Sequence, residues 1–353
     1  MPVYFPTLGK VLLEKLMSRC FSYQALITCG LLITLAVSVI IALSQGALNL
    51  DLIAVLFGEA ADLDSEVMSN IRAPRILLAA AAGAGLAASG AALQGLFRNP
   101  LADPGLIGVS GGAAIGAVAM IVLGDTLNLP RGILTYGVPV AAVLASFVVI
   151  SILFLFASRN GGFNVATVLL AGIAINAISS VGIGIFQYIS DDGQLRTLTF
   201  WMMGSFGRAS WNTVAPALAV ITGAFLLLLQ QARDLDRLQL GDAEAYYLGV
   251  NTQRVKVGII FAAALTVGVA VALSGIIGFV GLVVPHIIRF VVGVKHTYLI
   301  ICSALLGASL LVVADLGARL ILVPAEVPVG LVTSAIGAPF FLWLIVRRVP
   351  NAF

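Results

Sequence analysis

Apolar runs of about twenty residues, separated by short polar or glycine-rich stretches, recur along the whole chain. A helix needs ~20 mostly apolar residues to cross the hydrocarbon core of a bilayer. Ten such helices are predicted: Ala25–Leu43, Ile76–Leu96, Leu106–Leu123, Val138–Ala157, Val165–Ile189, Val214–Leu229, Val257–Leu273, Ile276–Val294, Tyr298–Ala314 and Pro328–Val346. The uncharged stretch from Val257 to Pro285 is too long for one crossing. Ser274-Gly275, Gly278, Gly281 and Pro285 punctuate it, so it divides in two. Pro285 is predicted to kink the eighth helix. Small residues crowd the second helix, at Gly83, Gly85, Ala87, Ser89, Gly90, Ala91 and Gly95. In lipid, small residues let helix backbones approach closely, so tight packing is expected there. The fold class is therefore an all-α polytopic membrane protein.

Composition supports the pattern. Of the 353 residues 60% are apolar and only 10% charged, against ~25% charged in a soluble domain. Mean hydropathy is +1.10. One soluble core cannot hide that much apolar surface at this length. A net charge of +3 is too weak a bias to suggest nucleic acid. The cations decide topology. With ten spans and both termini cytoplasmic, thirteen of the nineteen fall in inner segments and six outside: Arg72, Arg75, Arg131, Arg196, Arg208 and Arg319. Nine spans would move Arg289, Lys295, Arg347 and Arg348 outside and Arg319 inside, ten inside against nine outside, and lose the cation excess expected of cytoplasmic segments. The apolar run after the basic N-terminus has no A-x-A site and exceeds a signal-peptide core of ~7–15 residues. It reads as an uncleaved first span behind a cytoplasmic segment, residues 1–24.

Little chemistry is encoded. Gly9-Lys10 is followed by Val11 rather than Ser or Thr, so there is no phosphate cradle, and neither HExxH nor CxxC occurs. Cys20, Cys29 and Cys302 give no paired framework. His286 lacks a nearby carboxylate or Cys and reads as structural. His296, beside Lys295, reads as a solvated loop residue. Met202 and Met203 read as packing. No metal site is expected, and a membrane enzyme is disfavoured. An ion-coupled carrier usually holds ionisable groups in mid-span, but the first eight spans have almost none centrally. The late exceptions are Asp315, Arg319 and Glu326. Asp315 and Arg319 stand i,i+4 and can pair, or Arg319 can face outward toward a partner.

Four stretches then carry a resemblance: Arg72-Ala-Pro-Arg75; Arg98-Asn-Pro-Leu-Ala-Asp-Pro-Gly-Leu-Ile-Gly-Val-Ser110; Leu240-Gly-Asp-Ala-Glu-Ala-Tyr-Tyr-Leu-Gly-Val250; and Gly278-Phe-Val-Gly-Leu-Val-Val-Pro-His-Ile-Ile-Arg289, followed by Ala325-Glu-Val-Pro-Val-Gly330. In this order, from about residue 25 to the end, the chain resembles the permease subunits of type II ABC importers of cobalamin, ferric siderophores and haem. The resemblance implies a transmembrane permease domain over 25–349 with a cytoplasmic coupling segment at 233–256. It implies a homodimer in lipid in the bacterial inner membrane, two ATP-binding cassette subunits that hydrolyse ATP, and a periplasmic substrate-binding protein. No permanently bound cofactor is implied.

The resemblance also implies residue roles. Gly241, Asp242, Glu244, Leu248 and Gly249 fall in the helix that docks on the ATPase, and Gly249 is a plausible helix stop. Arg72, Arg75 and Arg319 would receive carboxylates of the binding protein, against the rival reading of snorkelling at the membrane edge. Asn99, Leu101, Val165 and Ala166 would narrow the path on the inner side. Val165-Ala166 replaces the small hydroxyl residues of a cobalamin permease. Asp191-Asp-x-Gln-Leu-Arg-x-Leu-Thr-Phe-Trp201 is most like haem permeases, which makes haem the first substrate, with ferric siderophore and cobalamin as alternatives.

Overall fold

The computed structural model describes residues 7–46, 62–124, 131–158 and 164–348, together with Ala54 and Phe57. It is helical, with no strand among the described residues. In chain order the helices are α1 (Thr7–Ser44), α2 (Asp62–Glu66), α3 (Ala73–Leu96), α4 (Val109–Leu123), α5 (Arg131–Ala157), α6 (Val165–Ile189) and α7 (Asp192–Met202). There follow α8 (Trp211–Leu238), α9 (Asp242–Tyr247), α10 (Thr252–Ser274), α11 (Val280–Val292), α12 (His296–Leu320) and α13 (Val329–Arg348). Among the described residues seven segments are long and apolar enough to cross a membrane: most of α1, the continuous run α2–α3, and α5, α6, α8, α10 and α12. α4, α11 and most of α13 are shorter apolar helices. Each predicted run falls on one of these elements.

α3 lies at the centre, with α8, α10, α11 and α12 packed along it. It is buried nearly all round, from Arg75 to Leu96, as an apolar helix without a polar face must be. Its glycines set the spacing. A methyl on Gly83 would run into the Gly307 carbonyl of α12, and one on Gly307 into that of Gly83. Gly90 meets the backbone of Gly281 in α11 in the same way. The small-residue crowding is therefore backbone-to-backbone packing.

The long uncharged stretch breaks where its sequence divides it. α10 stops at Ser274, and Gly275 follows with φ 72°, a conformation glycine adopts freely. Residues 275–278 are non-helical, and α11 starts after Phe279. Pro285 sits inside α11, which runs through it to Val292. The interruption is thus made by Gly275 and the residues after it.

Helix ends extend beyond the apolar runs. α1 begins at Thr7 and passes unbroken through position 25, and α8 continues to Leu238. α7 lies in a stretch that the hydropathy pattern leaves unassigned. It is started by a capping box, in which the Asp191 side chain accepts from Gln194 N and the Gln194 side chain accepts from Asp191 N. α3 is preceded by a π-helix, Val67–Arg72, continuous with α2. At the far end of α3, Pro100 and Pro104 stop the helix. A short 3-10 turn, Pro104–Ile107, and left-handed Gly108 lead into α4.

Candidate functional site

Polar networks gather at the two ends of α3, which spans about 36 Å at 1.5 Å per residue. At its N-terminal end the three arginines expected to receive a partner come together. Arg72, Arg75 and Arg319 are only 5%, 7% and 7% exposed. Arg75 donates through Nε and Nη2 to Asp315 at 2.9–3.0 Å. Its Nη1 and Nη2 also donate to the two carboxylate oxygens of Glu326, both at 2.9 Å. Arg319 Nε stands 3.2 Å from Asp315 Oδ2, one helical turn away. The remaining donors close the end of α1. Arg72 Nη1 donates to the carbonyls of Leu43 and Ser44, and Arg319 Nη1 and Nη2 to those of Gln45 and Ala42. The last carbonyls of a helix lack intrahelical donors and carry its negative pole, so two guanidinium groups suit them. Three cations and two carboxylates share this knot, leaving one positive charge.

Beside it opens a cavity of about 580 Å³, lined among others by Tyr136, Trp201, Ser205, Arg208, Thr213, Ser274 and Glu326. α7, the loop after it and the residues before α13 form its walls. The loop is fixed by Ser205 N donating to Ser274 O at 2.7 Å and Val329 N to Gly204 O at 2.9 Å.

At the opposite end, Arg98 follows α3 in a left-handed conformation, φ 49°. Its Nη2 donates to Leu238 O at 2.6 Å and to Asp242 Oδ1 at 3.4 Å. Lys256 of α10 holds the other oxygen of Asp242. Gln239 Nε2 donates to Gly95 O at 3.0 Å. α9 is thereby tied to the end of α3 and to α10. Gly241 enters it at φ 132°, and Gly249 leaves it at φ 80°, the left-handed stop its position suggests. Ala245 is buried beneath the helix, whereas Glu244, Tyr246, Tyr247 and Leu248 are exposed.

His296 departs from the sequence reading. It is buried at the start of α12, against Gly95. Its Nδ1 is 2.6 Å from Asp236 Oδ1, which also accepts its backbone N–H at 2.9 Å. The carboxylate that makes this a structural contact comes from 60 residues upstream. His286 is buried, with Phe290 and Phe340 edge-on to its ring.

The segment after α3 is irregular and satisfied within the protein, as such backbone in a membrane bundle must be. Asn99 Oδ1 accepts from Leu101 N at 2.9 Å and Asp103 Oδ1 from Gly105 N at 2.7 Å. Gln94 Nε2 reaches Ala102 O at 3.4 Å, and Asn176 Nδ2 reaches Gly105 O at 3.0 Å. Burial pushes the Asp103 carboxyl above its ordinary range, and the Gly105 N–H pulls the other way. Asn164 caps α6 by accepting from Ala166 N and Thr167 N, which places Val165 and Ala166 in its first turn. The two parts of the expected constriction are linked through Pro104–Ile107, which packs against α6 at Gly172, two turns beyond Val165. Leu101 is exposed, Val165 half-buried and Ala166 exposed.

A bundle of long apolar helices, with the charged networks of the described residues gathered at the helix ends, is the build of a multi-pass membrane protein. The chain belongs to the FecCD transport family, whose model matches residues 31–347. It is 47% identical over 318 residues to the hemin transport system permease protein HmuU of Yersinia pestis, covering 90% of this chain and 94% of that one. It is 41% identical to the vitamin B12 import system permease protein BtuC of Vibrio cholerae, covering 83% and 86% of the two chains. A solved structure, an inward-facing conformation of a metal-chelate type ABC transporter, superposes with a TM-score of 0.81 at 34% identity, over 91% of this chain and 99% of that one. The chain is therefore a multi-pass inner-membrane protein and a permease of the ABC transporter class.

Proposed function

We propose that the chain is the membrane-spanning subunit of an ATP-driven hemin importer. The observation that carries this reading is the 47% identity to a hemin permease across nine-tenths of the chain. Two copies form the pathway, two separate subunits bind and hydrolyse ATP on the cytoplasmic side, and a periplasmic binding protein delivers substrate. Hemin is cargo and not a resident cofactor. The termini and α9 are cytoplasmic, and the Arg72–Arg75–Arg319 knot faces the periplasm.

Within this scheme α9 is the contact for the ATPase. Its exposed Glu244, Tyr246, Tyr247 and Leu248 form the docking face, and Gly241 and Gly249 fix its entry and exit. Asp242, held by Arg98 and Lys256, conveys movement of α9 to the segment of Asn99 and Leu101. Asn99, Leu101, Val165 and Ala166 narrow the inner end of the path. The Arg72, Arg75 and Arg319 end receives the acidic side chains of the binding protein, whose rim charges set orientation and on-rate. The transmembrane domain spans 25–349, with residues 1–24 as a cytoplasmic lead.

A second reading, a ferric-siderophore or cobalamin permease, is supported by the vitamin B12 relative at 41% identity. Assembling the permease with its ATPase in nanodiscs and adding binding proteins loaded with hemin, a ferric siderophore or cobalamin separates the two. Hemin-loaded protein is expected to stimulate ATP hydrolysis most. Stimulation by either other cargo alone would replace hemin as the substrate.

A further inference from the structure

The two carboxylates on Arg75 are not equivalent. Asp315 is 1% exposed and occupies the Nε/Nη2 edge of the guanidinium, where Arg319 also holds it. Glu326 is 47% exposed and occupies the Nη1/Nη2 edge. Asp315 lies within α12, and Glu326 lies in the turn-rich segment between α12 and α13. A guanidinium has two edges able to take a carboxylate in two-point fashion. On Arg75 the inner edge is closed by a buried partner. An external carboxylate can reach only the outer edge, and Glu326 is already there.

We propose that Glu326 is an internal occupant of a carboxylate-receiving site on Arg75, displaced toward Arg208 when an acidic side chain of the binding protein docks. The inference rests on the docking reading above and adds the exchange. One carboxylate replaces another, so the charge around Arg75 does not change. The displaced group has a destination. Arg208 is exposed and makes no ion pair among the described residues. Arg208 and Glu326 line the same 580 Å³ cavity, so the side chains have room to meet. The residue before Arg208 is close to the pair: a Cβ on Gly207 would stand 3.6 Å from Glu326 Oε2 and 3.7 Å from Arg75 Nη1. Without a binding protein, Glu326 keeps Arg75 neutralised. With one, the pair Glu326–Arg208 forms as the new pair on Arg75 is made.

The test uses the permease–ATPase complex in nanodiscs and hemin-loaded binding protein, with the docking constant measured over a range of salt concentrations. Glu326→Gln is expected to tighten docking about three- to ten-fold, because the internal competitor is gone. Arg208→Gln is expected to weaken docking several-fold in the wild-type background and to change nothing in the Glu326→Gln background, where no carboxylate needs the second site. Glu326 is 47% exposed and Arg208 is exposed, and a single cooperative melting transition within a few degrees of the wild type confirms that each variant is folded. Unchanged or weaker docking of Glu326→Gln, with wild-type docking still falling as salt rises, overturns the exchange and leaves charge-guided docking standing. Equal weakening by Arg208→Gln in both backgrounds makes Arg208 a direct contact and also overturns it. Wild-type docking that does not respond to salt removes the docking reading, and the exchange with it.

Discussion

Arg75 illustrates what a buried charge at a helix end demands. Its guanidinium is surrounded by two carboxylates and leaves one of its five N–H groups without such a partner in the geometry above. Removing one member of a buried ion pair leaves the other uncompensated and costs about 3–5 kcal/mol, whereas an exposed pair contributes about 0–1 kcal/mol. The two acids should therefore respond differently. Asp315→Ala is expected to lower stability by about 3–5 kcal/mol and to loosen the end of α1, since Arg319 loses its neighbour as well. Glu326→Gln is expected to lower it by about 1 kcal/mol or less. Thermal unfolding of the detergent-solubilised protein checks both, and equal losses would contradict the division between a fixed and an exchangeable carboxylate.

At the scale of elements, stability depends on close backbone contact along α3. Gly83→Leu is expected to force α3 and α12 apart, costing at least the 1–3 kcal/mol typical of overpacking. Its readout is loss of monodisperse protein on gel filtration. Gly223, with nothing near its Cβ position, should accept Ala with unchanged elution. At the other end, Asp242 joins α9 to Arg98 and Lys256. Asp242→Arg is expected to leave hemin-stimulated ATP hydrolysis largely intact while uptake falls several-fold, and Arg98→Asp in the same chain should restore part of the uptake. Full uptake in the single variant would remove the latch from the transmission path. Glu244→Arg, on the exposed side of α9, is expected to disrupt ATPase coupling while membrane insertion stays normal, as read by fractionation and by uptake.

These elements also show what a single sequence reveals. The helix positions were legible because each apolar run must match a membrane thickness, and Gly275 marked the break in the longest run. The ends of α1 and α8 were not, because helical backbone continues where side chains need no longer be apolar. α7 was hidden from hydropathy, although Asp191 and Gln194 spell its capping box. Asp315 and Arg319 were legible as a pair because they lie one turn apart. The stronger partner of Asp315, Arg75, lies 240 positions away, and only the fold brings them together. His296 and Asp236 fail for the same reason.

For the whole molecule, the knot at one end of α3 and the latch at the other are about 36 Å apart and joined by a helix that is buried almost throughout. In the proposed scheme this helix conveys displacement between the two ends, and the driving force comes from the partner ATPases. The most direct test reconstitutes the permease into liposomes, alone and with its ATPase and hemin-loaded binding protein, and follows hemin accumulation. Uphill accumulation is expected only for the complete assembly with ATP, lost with vanadate and kept with an uncoupler. Accumulation by the permease alone, or uptake that an uncoupler abolishes while ATP hydrolysis continues, would contradict the account.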